Sequence, residues 1–191
     1  MKKFFLFTGM ALISIMHMSA QISKHGIVLN GGTGKINSTI DKTDAIREYI
    51  TYKFGASLGY RLRFKTPVPK SFHYDLDANL GVKSLEELSE RWGGGYLING
   101  YFSVGGTANY SLIKNVSAGL GFEPAYCFGN GSNFSKSNFD IPVVAKIAYN
   151  LKFVEIGISG KYGLVNVFEA SHLKSGKFRE IQLSAFIPFS F

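Results

Sequence analysis

The sequence predicts an all-β protein, an eight-stranded antiparallel up-and-down transmembrane β-barrel. Three observations lead there: stretches that alternate apolar and polar residues, connections that alternate long and short, and an apolar parity that carries no charge. The stretch "FHYDLDANLGVK" (72–83) shows the first. Phe72, Tyr74, Leu76, Ala78, Leu80 and Val82 share one face of a strand, and His73, Asp75, Asp77, Asn79, Gly81 and Lys83 share the other.

From the start, Lys2 and Lys3 precede an apolar run from Phe4 to Met16, and "HMSAQ" places the small Ala20 where a cleavage site needs it. Residues 1–20 therefore read as a signal peptide and 21–191 as the barrel domain. The apolar run is shorter than the about 20 residues of a spanning helix. Setting aside Lys2 and Lys3 lowers the formal charge from +8 to +6, and no basic run exceeds two residues. That pattern argues against nucleic acid and for acidic lipid or glycan. A single cysteine, Cys127, excludes a disulfide framework, a cysteine zinc site and a lipoprotein anchor. The 22 glycines and 15% aromatic residues do not suit a helical protein.

Period-2 alternation then marks strands at about 24–33, 50–64, 72–83, 96–110, 116–128, 139–150, 153–164 and 179–191. Long polar links fall at 34–49, 84–95, 129–138 and 165–178. Short ones fall at 65–71, 111–115 and 150–152. Long loops at one end and tight turns at the other describe a closed meander. In the second long link, Ser84 stands three residues before Glu87 as a capping box, and Leu85, Leu88 and Trp92 are spaced for one helical face, so a short helical cap is expected there.

A soluble barrel would also alternate, with its apolar side inward. Four features choose the membrane instead. The apolar parity, followed from Ile50 to Phe191 and taken from Ile181 in the last strand, carries no charge within the strands. This fits a lipid wall where Arg or Lys costs about 2–4 kcal/mol at mid-bilayer. That face holds too many rings for an eight-stranded interior, among them Phe54, Tyr60, Phe102, Tyr110, Phe122 and Tyr149. The rings gather at strand ends, as in 139–149, where Phe139 and Tyr149 bracket aliphatics. The polar parity is rich in glycine, which makes room inside a narrow tube.

It also carries Lys53, Arg61, Arg63, Lys83, Lys146 and Lys161 against Asp75, Asp77, Glu123, Asp140, Glu155 and Glu180. Six cations facing six anions predict a neutral plug of salt bridges, since unpaired buried charge is costly. Strands of about 12–15 residues exceed the 9–11 that cross a bilayer, so some should project beyond it.

The Gln21 start, "GIVLNGG", the hairpin "VAKIAYNLKFVEIGISGKYG" and the final aromatic strand resemble the small outer-membrane barrels of the OmpA/OmpX-like superfamily, in particular the PorT-like barrels of Bacteroidetes. The resemblance implies residence in the outer membrane after export by the cleaved signal peptide, with turns in the periplasm and four loops outside. It implies that Ile187, Phe189 and Phe191 form the C-terminal signal read by the barrel-assembly machinery. It also raises an accessory role in a secretion apparatus.

Some barrels of this size modify lipid A with serine, histidine and acid groups. The candidates here are Ser71 with His73 and Ser171 with His172. The first pair follows a short turn and points inward, away from acyl chains; the second consists of adjacent residues, which point opposite ways in a strand. The expectation is therefore a non-enzymatic protein, with no catalytic residues, no cofactor and no metal, the inward carboxylates being matched by cations. Partners expected are outer-membrane lipid and lipopolysaccharide, the assembly machinery, and an extracellular or secretion-system protein; no nucleic acid is expected, and the barrel should be a monomer. The loop residues Trp92, Phe134, Val167, Phe168 and His172 are candidate contacts. The turns carry Lys65, Lys70, Lys114 and Lys152 with no acid, which suits anionic headgroups.

Overall fold

The computed structural model describes residues 21–40, 48–66, 71–89, 93–128, 137–170 and 173–189. Its strands are β1 (Gln21–Ile40), β2 (Glu48–Lys65), β3 (Phe72–Ser89), β4 (Gly93–Ile113), β5 (Val116–Phe122), β6 (Ala125–Phe128), β7 (Phe139–Asp140), β8 (Pro142–Leu151), β9 (Val154–Gly163), β10 (Phe168–Ala170) and β11 (Leu173–Phe189). Every pairing is antiparallel. β3–β4 closes the order β3-β2-β1-β11-β9-β8-β5-β4 into a ring.

Eight staves make that ring, because three are interrupted and continue in line. Pro124 has no N–H to give the ladder, so β5 stops at Phe122 and resumes as β6 at Ala125. The pairing nevertheless carries through: Val104 donates to the Pro124 carbonyl at 3.0 Å, and Glu123 donates to that of Pro142 at 3.0 Å. Pro142 likewise parts β7 from β8. β10 continues the β9 stave and pairs with the start of β11.

The outer wall is apolar. Leu29, Leu58, Leu80, Leu120, Ile147, Ile158 and Leu183 form its middle, all exposed. Rings band the turn end, where Phe72 and Tyr110 lie 4.9 Å apart and His25 packs against Tyr60 and Phe189 at 5.7 and 5.6 Å. Phe122, Tyr126, Phe139 and Tyr162 band the loop side. There the outward parity of the last stave reaches Arg179, one step above Ile181, with its guanidinium 5.0 Å from the Tyr162 ring. A cation at the edge of the band, over an aromatic face, keeps its head near water.

The staves run further toward the loop end than alternation indicates. β1 reaches Ile40, β3 reaches Ser89 and β4 starts at Gly93. The expected helical cap at 84–95 is therefore corrected: residues 84–89 pair with β2 on one side and with β4 on the other. Two ladders outweigh the local capping preference of a short segment.

A second correction concerns Lys53. The β2–β3 register shifts between Tyr52 and Phe54, and this bulge turns Lys53 outward. Its ammonium meets Glu86 at 2.6 Å on the exposed side. Tyr52, on the apolar parity by counting, goes inside and is 2% exposed. Its ring lies across Gly55, where a Cβ would collide with the hydroxyl.

Candidate functional site: the filled lumen

The lumen is stacked in layers. Nearest the turn end lies a charge cluster that the β2–β3 register begins, since Arg61 stands opposite Asp77 and Arg63 opposite Asp75. Arg61 grips Asp77 with two donors, Nε at 2.7 Å and an Nη at 2.8 Å. Arg63 grips Asp75 in the same way at 2.7 and 2.9 Å. Glu155 reaches across from β9 to accept from Arg63 at 2.6 and 2.8 Å and from Arg61 at 3.2 Å. Lys146, on β8, donates to Asp75 at 2.6 Å.

Three cations and three carboxylates from four strands thus tie opposite walls together. Most of them are under a tenth exposed. The planar guanidinium fork is what lets one arginine hold two carboxylates at once. Phe186 lies on the polar parity yet is 1% exposed, because Arg61 and Arg63 stack over its ring at 5.1 and 5.3 Å.

Above the charges runs an amide and hydroxyl belt. Asn30 donates to Ser57 at 3.0 Å and to Asn79 at 3.4 Å, and Asn79 donates to Ser103 at 3.4 Å. A void of about 30 Å³ remains between this belt and the ionic layers. Next come two cross-lumen pairs. Lys161 meets Glu123 at 2.6 Å, with Ser103 also donating to that carboxylate at 2.8 Å. Lys83 pairs with Glu180, which also accepts from Gln182 at 2.9 Å.

Asp140 faces inward at 2% exposure but has no ion pair among the described residues. One of its oxygens accepts from the backbone N–H of Ile141 at 2.8 Å and of Val165 at 3.2 Å. It anchors the chain that leaves β9.

The loop-end layer is apolar. Tyr52, Leu85, Val167 and Phe178 form a buried cluster, with Ile36 and Leu97 packed on it. Lys83 points up into this lid, 4.3 Å from the Phe178 ring centre and 5.0 Å from that of Tyr101. Tyr101 in turn needs Gly81 opposite it, where a Cβ would stand 2.8 Å from its ring.

Of the twelve charges assigned to the lumen by parity, Arg61, Arg63, Asp75, Asp77, Lys83, Glu123, Asp140, Lys146, Glu155, Lys161 and Glu180 line it, and Lys53 does not. The lid was missed. Leu85 and Val167 fall in stretches read as loop, and Val167, expected to be exposed, is 3% exposed. Phe186 and Tyr101 were legible as rings on the ionic parity. Trp92, Phe134, Ser171, His172 and Phe191 lie outside the described residues, as do the Phe168 side chain and the signal peptide. Ile187 and Phe189 face outward, each 43% exposed. Ser71 sits at the turn end, its carbonyl accepting from Ser111 N–H at 2.8 Å.

No family model matches the chain, and no curated protein does. Among solved structures, the chain is similar to Neisserial surface protein A, with 13% identity over 86% of this chain and 97% of that one and a TM-score of 0.51. It is also similar to the outer membrane protein OprG from Pseudomonas aeruginosa (13% identity, 86% and 91% covered, TM-score 0.44). A third is Ail, the attachment invasion locus protein of Yersinia pestis (17% identity, 88% and 100% covered, TM-score 0.48). The first of these likenesses supports the fold: this is an eight-stranded barrel of the outer-membrane type.

Proposed function

We propose that this protein is a non-conducting, non-enzymatic outer-membrane barrel whose lumen is a structural brace and whose loop end makes contact with partners outside the cell. One observation carries the reading: the lumen is filled at two levels by different means, ionic pairs below and an apolar lid above, so the space a channel needs is occupied. A protein that gives its interior to rigidity leaves its ends to do the work. The staves support this, because β1 to β4 extend toward the loop end as an ordered ribbon.

The orientation follows from the same reading, with the turns in the periplasm and the loops outside. Planar-bilayer recording tests the closed lumen: the native protein shows no stable open level, and a persistent conductance would refute it. Lipid A mass spectra unchanged by Ser71→Ala and by Ser171→Ala are expected of a non-enzymatic barrel. Cross-linking on intact cells, followed by identification of the adduct, tests the loop contact. A role as a secretion accessory rests on the loose likeness to PorT-like barrels, and co-purification with secretion components would favour it.

A further inference from the structure

The turn end of the lumen does not stop at the Arg63–Glu155 contact; it opens below it into a pocket of about 370 Å³. Lys24 from β1, Lys65 from the end of β2 and Lys114 from the β4–β5 turn line it. None of these three ammonium groups has a carboxylate partner among the described residues. The one carboxylate in the lining, Glu155, is already committed: both of its oxygens accept from Arg63, and one also from Arg61. The pocket thus carries three uncompensated positive charges at the edge of a low-dielectric wall, where they repel one another and attract anions.

The rim that holds them is a constructed one. Asn115 adopts φ 70° to close the tight β4–β5 turn, a conformation asparagine tolerates better than most residues. Its carbonyl accepts from Asn150 at 2.8 Å, which fastens this turn to the β8–β9 turn, while Ser111 N–H is bonded to Ser71 of the β2–β3 turn at 2.8 Å. All three turns are linked at one mouth. Ser111, Ser117, Asn115 and Asn150 add uncharged polar groups to the lining, and the nearby His73 has its Nε2 buried without a partner.

We infer that this vestibule is a binding site for a small, multiply charged anion bearing phosphate groups. Its volume is at the lower end of the range of ligand pockets, and separated ammonium groups suit an anion with more than one charged oxygen centre. The orientation proposed above makes it open to the periplasm; the site itself does not depend on that. Phosphate of this kind comes either from a phospholipid headgroup at the membrane edge or from a soluble metabolite.

The test uses the full chain in phosphatidylcholine nanodiscs, open on both sides, with folding checked by heat-modifiable gel mobility. Inorganic pyrophosphate is titrated calorimetrically. The native protein should show one saturable site. In Lys24→Gln/Lys65→Gln/Lys114→Gln it should weaken about tenfold or more, and in Lys35→Gln/Lys177→Gln, at the loop end, it should stay unchanged. If the triple variant does not refold, Lys114→Gln alone should weaken binding about threefold, since its side chain is exposed and its loss leaves the lumen pairs intact. Absence of saturable binding, or equal loss in the loop-end control, overturns the site. In discs containing cardiolipin, whose headgroup carries two phosphates, competition against pyrophosphate identifies the headgroup as the occupant, and unchanged affinity identifies a soluble anion.

Discussion

The two ends of the lumen are closed by opposite chemistries. Near the turns, Arg61, Arg63 and Lys146 interlock with Asp75, Asp77 and Glu155 through directed bonds of 2.6 to 3.2 Å. Near the loops, Tyr52, Leu85, Val167 and Phe178 close the tube by undirected packing. Directed charge pairs fix register and fail when one partner goes, because the survivor is left buried without compensation. An apolar lid responds to volume and tolerates changes of shape. The turn-end layer therefore specifies which strands face each other, and the loop-end layer seals what they enclose.

The largest effect that would break this comparison if absent is at Asp75, which Arg63 and Lys146 share. Asp75→Ala should lower stability by about 3–5 kcal/mol, measured by urea unfolding in lipid vesicles, because it leaves two buried cations short of a partner. Leu85→Ala in the lid should cost about 2–3 kcal/mol, and Leu85→Met should recover most of it, an exchange that no single substitution in the ionic layer permits. Removing both members of the Lys83–Glu180 pair as Lys83→Met/Glu180→Leu should stay within about 1 kcal/mol of the native protein, whereas Glu180→Ala alone should cost several times that. Smallest of all, Lys53→Gln should leave the unfolding midpoint unchanged, since its pair with Glu86 is exposed to solvent.

Much of the turn-end layer was legible in the sequence, and the reason is geometric. A period of two fixes which residues share a face, and a closed barrel leaves the charged face only one place to go, so Arg61, Asp75 and Glu155 follow from counting. Counting fails where the backbone slips. The bulge at Tyr52/Phe54 exchanges the sides of Tyr52 and Lys53, and nothing in the residue types announces it. The lid failed to show for another reason. In "SLEELSERW", Leu85 and Leu88 lie on opposite parities and a capping box precedes them, so the local signal is helical although two neighbouring strands impose extension. Val167 sits in the break between β9 and β10, where no period exists to read.

Both layers presuppose that the other face of every strand meets hydrocarbon, and oxygen accessibility of nitroxides tests this most directly. Single labels would be placed at Leu120, Ile147, Ile158 and Leu183 in a Cys127→Ser background in lipid bilayers. All four should relax strongly with dissolved oxygen and weakly with an aqueous nickel chelate, with greatest depth near mid-bilayer. Preferential relaxation by the chelate at these four positions would place them in water and contradict the account.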